Sequence, residues 1–191
     1  MATELFRDAQ TLAAGLEVIR QSPRCGGTLQ LIVRRPAEGQ RELVDEGQLD
    51  LRKGLLGDNW LARGSRMTDD GSAHPEMQLT IMNSRAAELL AGSRQRWALA
   101  GDQMYADFDL SVEHLPPGTR LAIGSAVVQV TAESHTGCKS FALRYGKEAV
   151  KFVNSVEGKQ LRLRGLNAKV ITPGAIRVGD RIAKLDSGEL E

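Results

Sequence analysis

The residues with the most chemical potential lie together at Glu133-Ser134-His135-Thr136-Gly137-Cys138-Lys139-Ser140-Phe141. Cys138 is the best nucleophile or soft metal ligand in the chain, with an imidazole three residues before it and an ammonium immediately after. Nearby positive charge and the free N–H groups that open a helix both favour a thiolate over a thiol. The stretch follows an apolar alternating pattern and precedes a helix-like segment, so it reads as a strand-to-helix loop. Taken alone, a single cysteine after a strand is ordinarily a small buried hydrophobe, and His135 and Lys139 are equally readable as solvated loop residues. Local chemistry leaves both readings open.

The elements that must position this loop follow from periodicity. Leu5, Ala9, Leu12, Leu16 and Ile19 recur at helical spacing, which predicts a helix over 3–21 capped by Thr3 and stopped by Ser22-Pro23 and Gly26-Gly27. After Gly27 the period changes to two. Leu29, Leu31 and Val33 alternate as one face of a half-buried strand, and Pro36–Gly39 turns into a short return strand at 42–44. Gly54-Leu55-Leu56-Gly57-Asp58-Asn59-Trp60 suits a tight turn that places polar groups, without the spacing of a phosphate-binding glycine loop. Residues 61–76 read as a polar surface loop.

Further strands are expected at 78–82, at 120–131 around a Gly124-Ser125 hairpin, and near Leu161 and Leu163. Val170-Ile171 and Ile176–Val178 flank a turn at Thr172-Pro173-Gly174-Ala175. Short helices are expected near 85–91, capped by Asn83-Ser84, and near 147–154. Many short strands with few helices between them predict a mainly β, barrel-like fold rather than a doubly wound parallel sheet.

Composition narrows the function classes. The chain has 191 residues, a mass of 20.8 kDa, 41% hydrophobic and 26% charged residues, and a formal net charge of +1, which suits one soluble globular domain and disfavours a strongly basic nucleic-acid binder. No apolar run is long enough to span a membrane, and the N-terminus lacks the order of a signal peptide, so a cytoplasmic protein is expected. Cys25 and Cys138 are too few for a disulfide framework or a cysteine-rich zinc site, and they are expected to stay unjoined.

Several patches together resemble the MOSC domain, the module named for the C-terminal part of molybdenum cofactor sulfurases. They are Gly54–Asp58, Leu115-Pro116-Pro117-Gly118 through Gly124, His135–Cys138, Arg164-Gly165-Leu166-Asn167-Ala168, and Pro173–Asp180. Their order is the family's, and they span roughly 28–183. That divides the chain into an N-terminal helix and turn (1–27), the MOSC domain (28–183) and a polar tail (184–191). The resemblance implies a closed β-barrel of the kind seen in pyruvate kinase, and one functional cysteine in a cleft. The family's cysteine falls on Cys138, as a ligand to molybdenum held by a pterin dithiolene or as the carrier of a persulfide; both roles need a soft, deprotonated sulfur. Gly57 and Asp58 match the family's Gly-Asp turn near the cleft, and Asn83 and Arg85 fall where polar cleft residues are expected. Gly137 stands where many relatives have proline, and Asn59-Trp60 replaces the His and Gly that follow the Gly-Asp pair elsewhere.

The implied ligand is molybdenum cofactor, a large anion with a terminal phosphate, for which guanidinium groups are suited partners. Arg63, Arg66, Arg85, Arg144, Arg162 and Arg164 are the candidates, with Arg85, Arg144 and Arg164 preferred. Pyridoxal phosphate is associated with the family through fused sulfurases, and no residue pattern here supports a site for it. Three functions follow: an oxidoreductase acting on N-hydroxylated substrates, a carrier of cofactor or sulfur, and a binding module with an inert thiol. The first two need an external electron or sulfur donor. No nucleic-acid or membrane partner is expected, and the oligomeric state stays open.

Overall fold

A computed structural model describes residues 6–185. Its strands are β1 (Gly27–Arg34), β2 (Glu42–Val44), β3 (Glu46–Asp50), β4 (Gly54–Leu55), β5 (Leu79–Asn83), β6 (Met104–Asp107), β7 (Arg120–Ile123), β8 (Ala126–Val130), β9 (Leu166–Thr172), β10 (Gly174–Arg177) and β11 (Arg181–Leu185). The helices are α1 (Ala9–Ala14), α2 (Leu16–Arg20), α3 (Trp60–Arg63), α4 (Ser84–Ala91), α5 (Lys139–Tyr145), α6 (Lys147–Asn154) and α7 (Val156–Gln160). Seven strands pair in the order β11-β7-β8-β9-β5-β6-β1, and a β1–β11 pairing closes them into a barrel. Among the described residues only the β5–β6 pair is parallel; β2 extends β1 outside the ring, and β10-β3-β4 form a small second sheet. The expected mainly β closed barrel is therefore the fold found.

Two cores explain why the barrel strands read as almost continuously apolar. Leu29, Ile32, Leu79, Ile81, Met104, Phe108, Leu121 and Val128 fill the inside of the ring. Leu31, Val33, Met82, Tyr105, Leu90, Phe141, Tyr145 and Val153 fill the space between its outer surface and the helices. β5 is consequently buried at every position, as a strand covered on both faces must be. The expectation that Leu29, Leu31 and Val33 share a face fails. A register shift between Leu29 and Leu31 against β6 turns Leu31 and Val33 outward to the helices and leaves Leu29 and Ile32 inside.

Other elements depart from the sequence reading for local reasons. The N-terminal helix starts at Ala9, where the Asp8 carboxylate accepts from the Thr11 amide, and breaks at Gly15 into α1 and α2. The expected Thr3 cap lies outside the described residues. A Cβ at Gly15 would come within 2.4 Å of Leu89, so glycine is what lets this segment approach α4. Residues 161–164 form a turn rather than a strand, with Arg162 at φ +48° and Gly165 at φ +102°. Thr172–Ala175 is no hairpin turn: β9 stays in the barrel while β10 crosses to pair with β3. The Gly124-Ser125 hairpin, α4 with its Asn83 cap, and α6 are where they were expected. Residues 184 and 185 complete β11, and the rest of the polar tail lies outside the described residues.

Among the described residues no helix is long and apolar enough to cross a membrane. Cys25 and Cys138 are both exposed free thiols.

Candidate functional site

A cavity of about 730 Å³ opens at one end of the barrel, within the size range of sites for cofactors and small molecules. Its lining comes from separated parts of the chain. Arg35 follows β1, Arg41 precedes β2, Asn59, Trp60 and Arg63 belong to the α3 turn, and His74 precedes the 3-10 turn Pro75–Met77. His135 comes from the loop after β8, Arg144 from the last turn of α5, and Arg164 and Asn167 from the start of β9. Arg66 completes a set of six guanidinium groups, against which Glu38, itself exposed, is the one carboxylate in the lining. Such a surface selects anions.

Two of the arginines are fixed by buried carboxylates. Arg35 donates through Nε and Nη2 to Asp58 at 2.7 and 2.8 Å, and its backbone N–H donates to Oδ2 at 3.0 Å. The Asp58 carboxylate is fully buried and also accepts from the Trp60 amide, so it ties the end of β1 to the start of α3. Arg164 donates to Asp102 at 2.6 Å and to the Ala100 carbonyl at 2.8 Å, with its guanidinium 4.9 Å from the Phe141 ring centroid. Arg41 and Arg144 reach toward the same rim: they donate to the Ala98 and Leu99 carbonyls. Burial, then repulsion from Arg144 and Arg35, pushes the Arg41 guanidinium below its usual range; burial and then Arg35 do the same to Arg63. Among the described residues Arg63 has no ion pair or hydrogen bond that would occupy it. Positive charge here exceeds what the protein itself neutralises.

The loop bearing His135 is held at both ends. Asn167 donates to the Glu133 carbonyl at 3.1 Å, and the Asn154 side chain both accepts from the Gly137 amide and donates to its carbonyl, at 2.9 and 3.0 Å. His135 Nδ1 approaches Asp102 Oδ1 to 3.3 Å, out of line for a hydrogen bond. Burial, then the Arg164 charge, lowers the His135 pKa to about 3, so the ring is neutral at ordinary pH. The unfolded chain takes up this proton near pH 6.5. Between about 6.5 and 3 the unfolded state thus binds a proton that the folded state refuses, and stability falls as pH drops through that window. The contribution approaches an order of 4 kcal/mol near the bottom of the window. Urea unfolding at a series of pH values checks this: His135→Gln, which keeps shape without a titratable ring, is expected to flatten the fall below pH 6.5.

Six buried side-chain polar atoms lack a hydrogen-bond partner among the described residues: Asn59 Oδ1, His74 Nδ1, Asp102 Oδ1, His135 Nδ1, Arg164 Nε and Asn167 Oδ1. Five of these residues line the cavity, and Asp102 pairs with Arg164 directly behind it. Unsatisfied buried groups cost stability and are rare in folded proteins, and their gathering at one cavity leaves donors and acceptors there open to a polar ligand or to water.

A family model for the MOSC domain matches residues 72–183, more than half of the chain. The chain belongs to the MOSC domain family. Solved structures agree on the fold. The YuaD protein from Bacillus subtilis is 16% identical with a TM-score of 0.61, over 82% of this chain and 94% of that one. A hypothetical protein is 17% identical at 0.60, over 90% and 72%. YiiM from Escherichia coli is 16% identical at 0.54, over 83% and 70%. A comparison with curated proteins gives no match.

Within this MOSC domain the expected site residues divide. His135, Arg144 and Arg164 are brought together on the cavity wall, as are Arg63 and Arg66. Asp58 sits beneath the wall, where it anchors Arg35, and Gly57, at φ +85°, makes the turn that delivers it. Asn83 and Arg85 serve other ends. Asn83 caps α4 and donates to Ser22 and to the Phe108 carbonyl, while Arg85 pairs with Asp107 at 2.7 Å. Arg162 belongs to a second cavity. Cys138 is exposed as the residue before α5, Lys139 is the first residue of that helix, and neither lines the arginine cavity. The expected cleft shared by Cys138 with Asp58 or its neighbours is not found: Asn59 and Trp60 line the arginine cavity together with His135, but Cys138 does not.

Sequence reading missed Arg35, Arg41, His74, Asp102 and Asn167. Asn167 lay in a patch that carried the family resemblance, and Asp102 beside a turn glycine. Arg35 and Arg41 flank the Pro36–Gly39 turn, a position that brings them to the barrel end but has no motif of its own.

Proposed function

We propose that this protein binds a metal-pterin of the molybdenum cofactor class in the arginine cavity, with Cys138 as the soft ligand to its metal. The observation that carries this reading is the gathering of unpartnered buried polar atoms inside a wall of six guanidinium groups, of which only Arg35 and Arg164 are paired with carboxylates among the described residues. The residues fit the group. Arg41, Arg63 and Arg144 suit a terminal phosphate, and Asn59, Asn167 and His74 offer the donors and acceptors that a heterocycle edge requires. Neutral His135 can hydrogen-bond to such a ligand without adding charge. Among the described residues no three His, Cys, Asp or Glu side chains form a metal-binding group. Cys138 follows His135 by three residues, a reach of at most about 10 Å along the chain.

When bound, the group supplies two-electron redox chemistry at molybdenum, with reduction of N-hydroxylated substrates as the corresponding activity. The protein's share would be to hold the anion and to keep neutral His135 beside it, with Cys138 approaching from outside the cavity lining at the start of α5. The exposure of Cys138 favours a second reading, in which the thiol carries a sulfane sulfur between partners.

The test is metal and pterin analysis of protein purified from a host that makes the cofactor. Molybdenum and pterin are expected in stoichiometric ratio. Arg144→Gln is expected to lower retention of both roughly tenfold, and Cys138→Ser to lower molybdenum. Cys25→Ser, far along the sequence and exposed, is expected to change neither. Protein free of both, with Cys138 heavier by one sulfur atom, would replace the first reading by the second.

A further inference from the structure

A second cavity, about 380 Å³, lies on the other side of the 132–136 loop, and His135 is the residue common to both linings. Its character differs from that of the first. Val112, Pro117, Val153 and Leu166 give it apolar walls, and two cations, Lys159 and Arg162, stand against one carboxylate, Glu133. Among the described residues neither Lys159 nor Glu133 has a side-chain ion pair or hydrogen bond.

Arg162 is the informative residue. Among the described residues it is the one non-glycine residue with positive φ, +48°. Backbone strain of this kind persists where the surroundings impose it, and it concentrates at binding sites. Here the turn is enforced by the Arg162 N–H donating to the Lys159 carbonyl and the Gly165 N–H donating to the Arg162 carbonyl. The side chain is directed by Nη1, which donates to the Leu115 and Leu110 carbonyls at 2.7 and 3.3 Å. These carbonyls are neutral. Burial pushes the guanidinium below its usual range, and among the described residues it makes no ion pair. A strained turn thus holds an uncompensated guanidinium beside an apolar cavity.

We infer that the second cavity binds a small organic carboxylate, its anionic end on Arg162 and Lys159 and its apolar body against Val112, Val153 and Leu166. A guanidinium fork matches a carboxylate in shape, and apolar walls favour an organic acid over a free inorganic anion. The ligand would lie one imidazole away from the first cavity. A role as the organic reactant for chemistry there rests on the function proposed above; the binding itself does not.

Benzoate, benzamide and inorganic phosphate are the probes, titrated into the full-length protein and followed by amide NMR. Benzoate is expected to bind with a Kd on the order of 1 mM and to shift the amides of Val112, Ala132, Val153 and Leu166. Benzamide, with the same ring and no charge, is expected to bind at least roughly tenfold more weakly. Phosphate is expected to shift Gly39, Ser65 and Gly101 around the first cavity instead. Arg162→Gln should weaken benzoate roughly tenfold or more and leave phosphate unchanged. Lys159→Gln, at an exposed side chain with no structural bond, should weaken benzoate in a chain that folds normally and covers the case in which Arg162→Gln does not fold. The inference is overturned by failure of benzoate to shift the second-cavity amides, by equal binding of benzamide, or by unchanged benzoate affinity in Lys159→Gln and folded Arg162→Gln. Those results leave phosphate binding at the first cavity to be judged on its own.

Discussion

Replacement of Asp58 by alanine is expected to lower stability by about 3–5 kcal/mol, and Tm by about 6–20 °C for a chain of this size. The carboxylate is fully buried, and its partner Arg35 retains 9% side-chain exposure. Removing it strands a guanidinium whose remaining bond is to the Gly101 carbonyl at 2.8 Å, in a neighbourhood already positive from Arg41 and Arg63. The Trp60 and Arg35 amides lose their acceptor as well. A control separates the stranded charge from general disruption. The double replacement Arg35→Met, Asp58→Leu removes both charges, so it is expected to be more stable than Asp58→Ala alone, because a buried pair exchanged for apolar groups is often close to neutral. Chemical denaturation of the three proteins checks the order; a double variant less stable than the single would show that the pair contributes net stability.

The Asp58 result bears on what the sequence could reveal. Gly57-Asp58 is recognisable as a turn that delivers a polar side chain, and the family resemblance placed it near a cleft. Its partner is 23 residues away and carries no motif, because Arg35 is chosen by barrel closure and not by local pattern. Periodicity located β5, α4 and the Gly124-Ser125 hairpin, where each residue's environment repeats at a fixed interval. It misassigned Leu31 and Val33, since a bulge shifts the face without altering the alternation that precedes it. The same limit applies at the site. His135, Arg144 and Arg164 share a wall because the loop after β8, the end of α5 and the start of β9 converge at one barrel end, a property of strand order. Asn83 looked like a cleft residue from its place after β5 and proved to be the cap and tether of α4. Cysteine chemistry was legible as a residue type, while its distance from the cavity wall depends on how α5 begins.

The second large effect is expected from Arg164→Met, and it should depend on pH in a direction that a purely structural residue would not show. At pH 8 the variant leaves the fully buried Asp102 carboxylate without its 2.6 Å partner, at an expected cost of about 3–5 kcal/mol. His135 Nδ1 lies 3.3 Å from the other oxygen of that carboxylate. In the native protein burial opposes protonation of this ring most strongly and Arg164 next; with Arg35 they outweigh the attraction of Asp102, and the pKa falls to about 3. Without Arg164 the attraction of Asp102 is opposed by burial and Arg35 alone, and the folded-state pKa rises. Any such rise narrows the gap to the unfolded value near 6.5, so the variant loses less stability than the native protein as pH falls. The destabilisation caused by Arg164→Met should therefore be smaller at pH 5.5 than at pH 8. Urea unfolding at the two pH values measures it, and the His135 ring signals report the protonation directly. A destabilisation equal at both pH values, with the ring still neutral at pH 5.5, would mean that Asp102 and His135 are not coupled through their 3.3 Å approach.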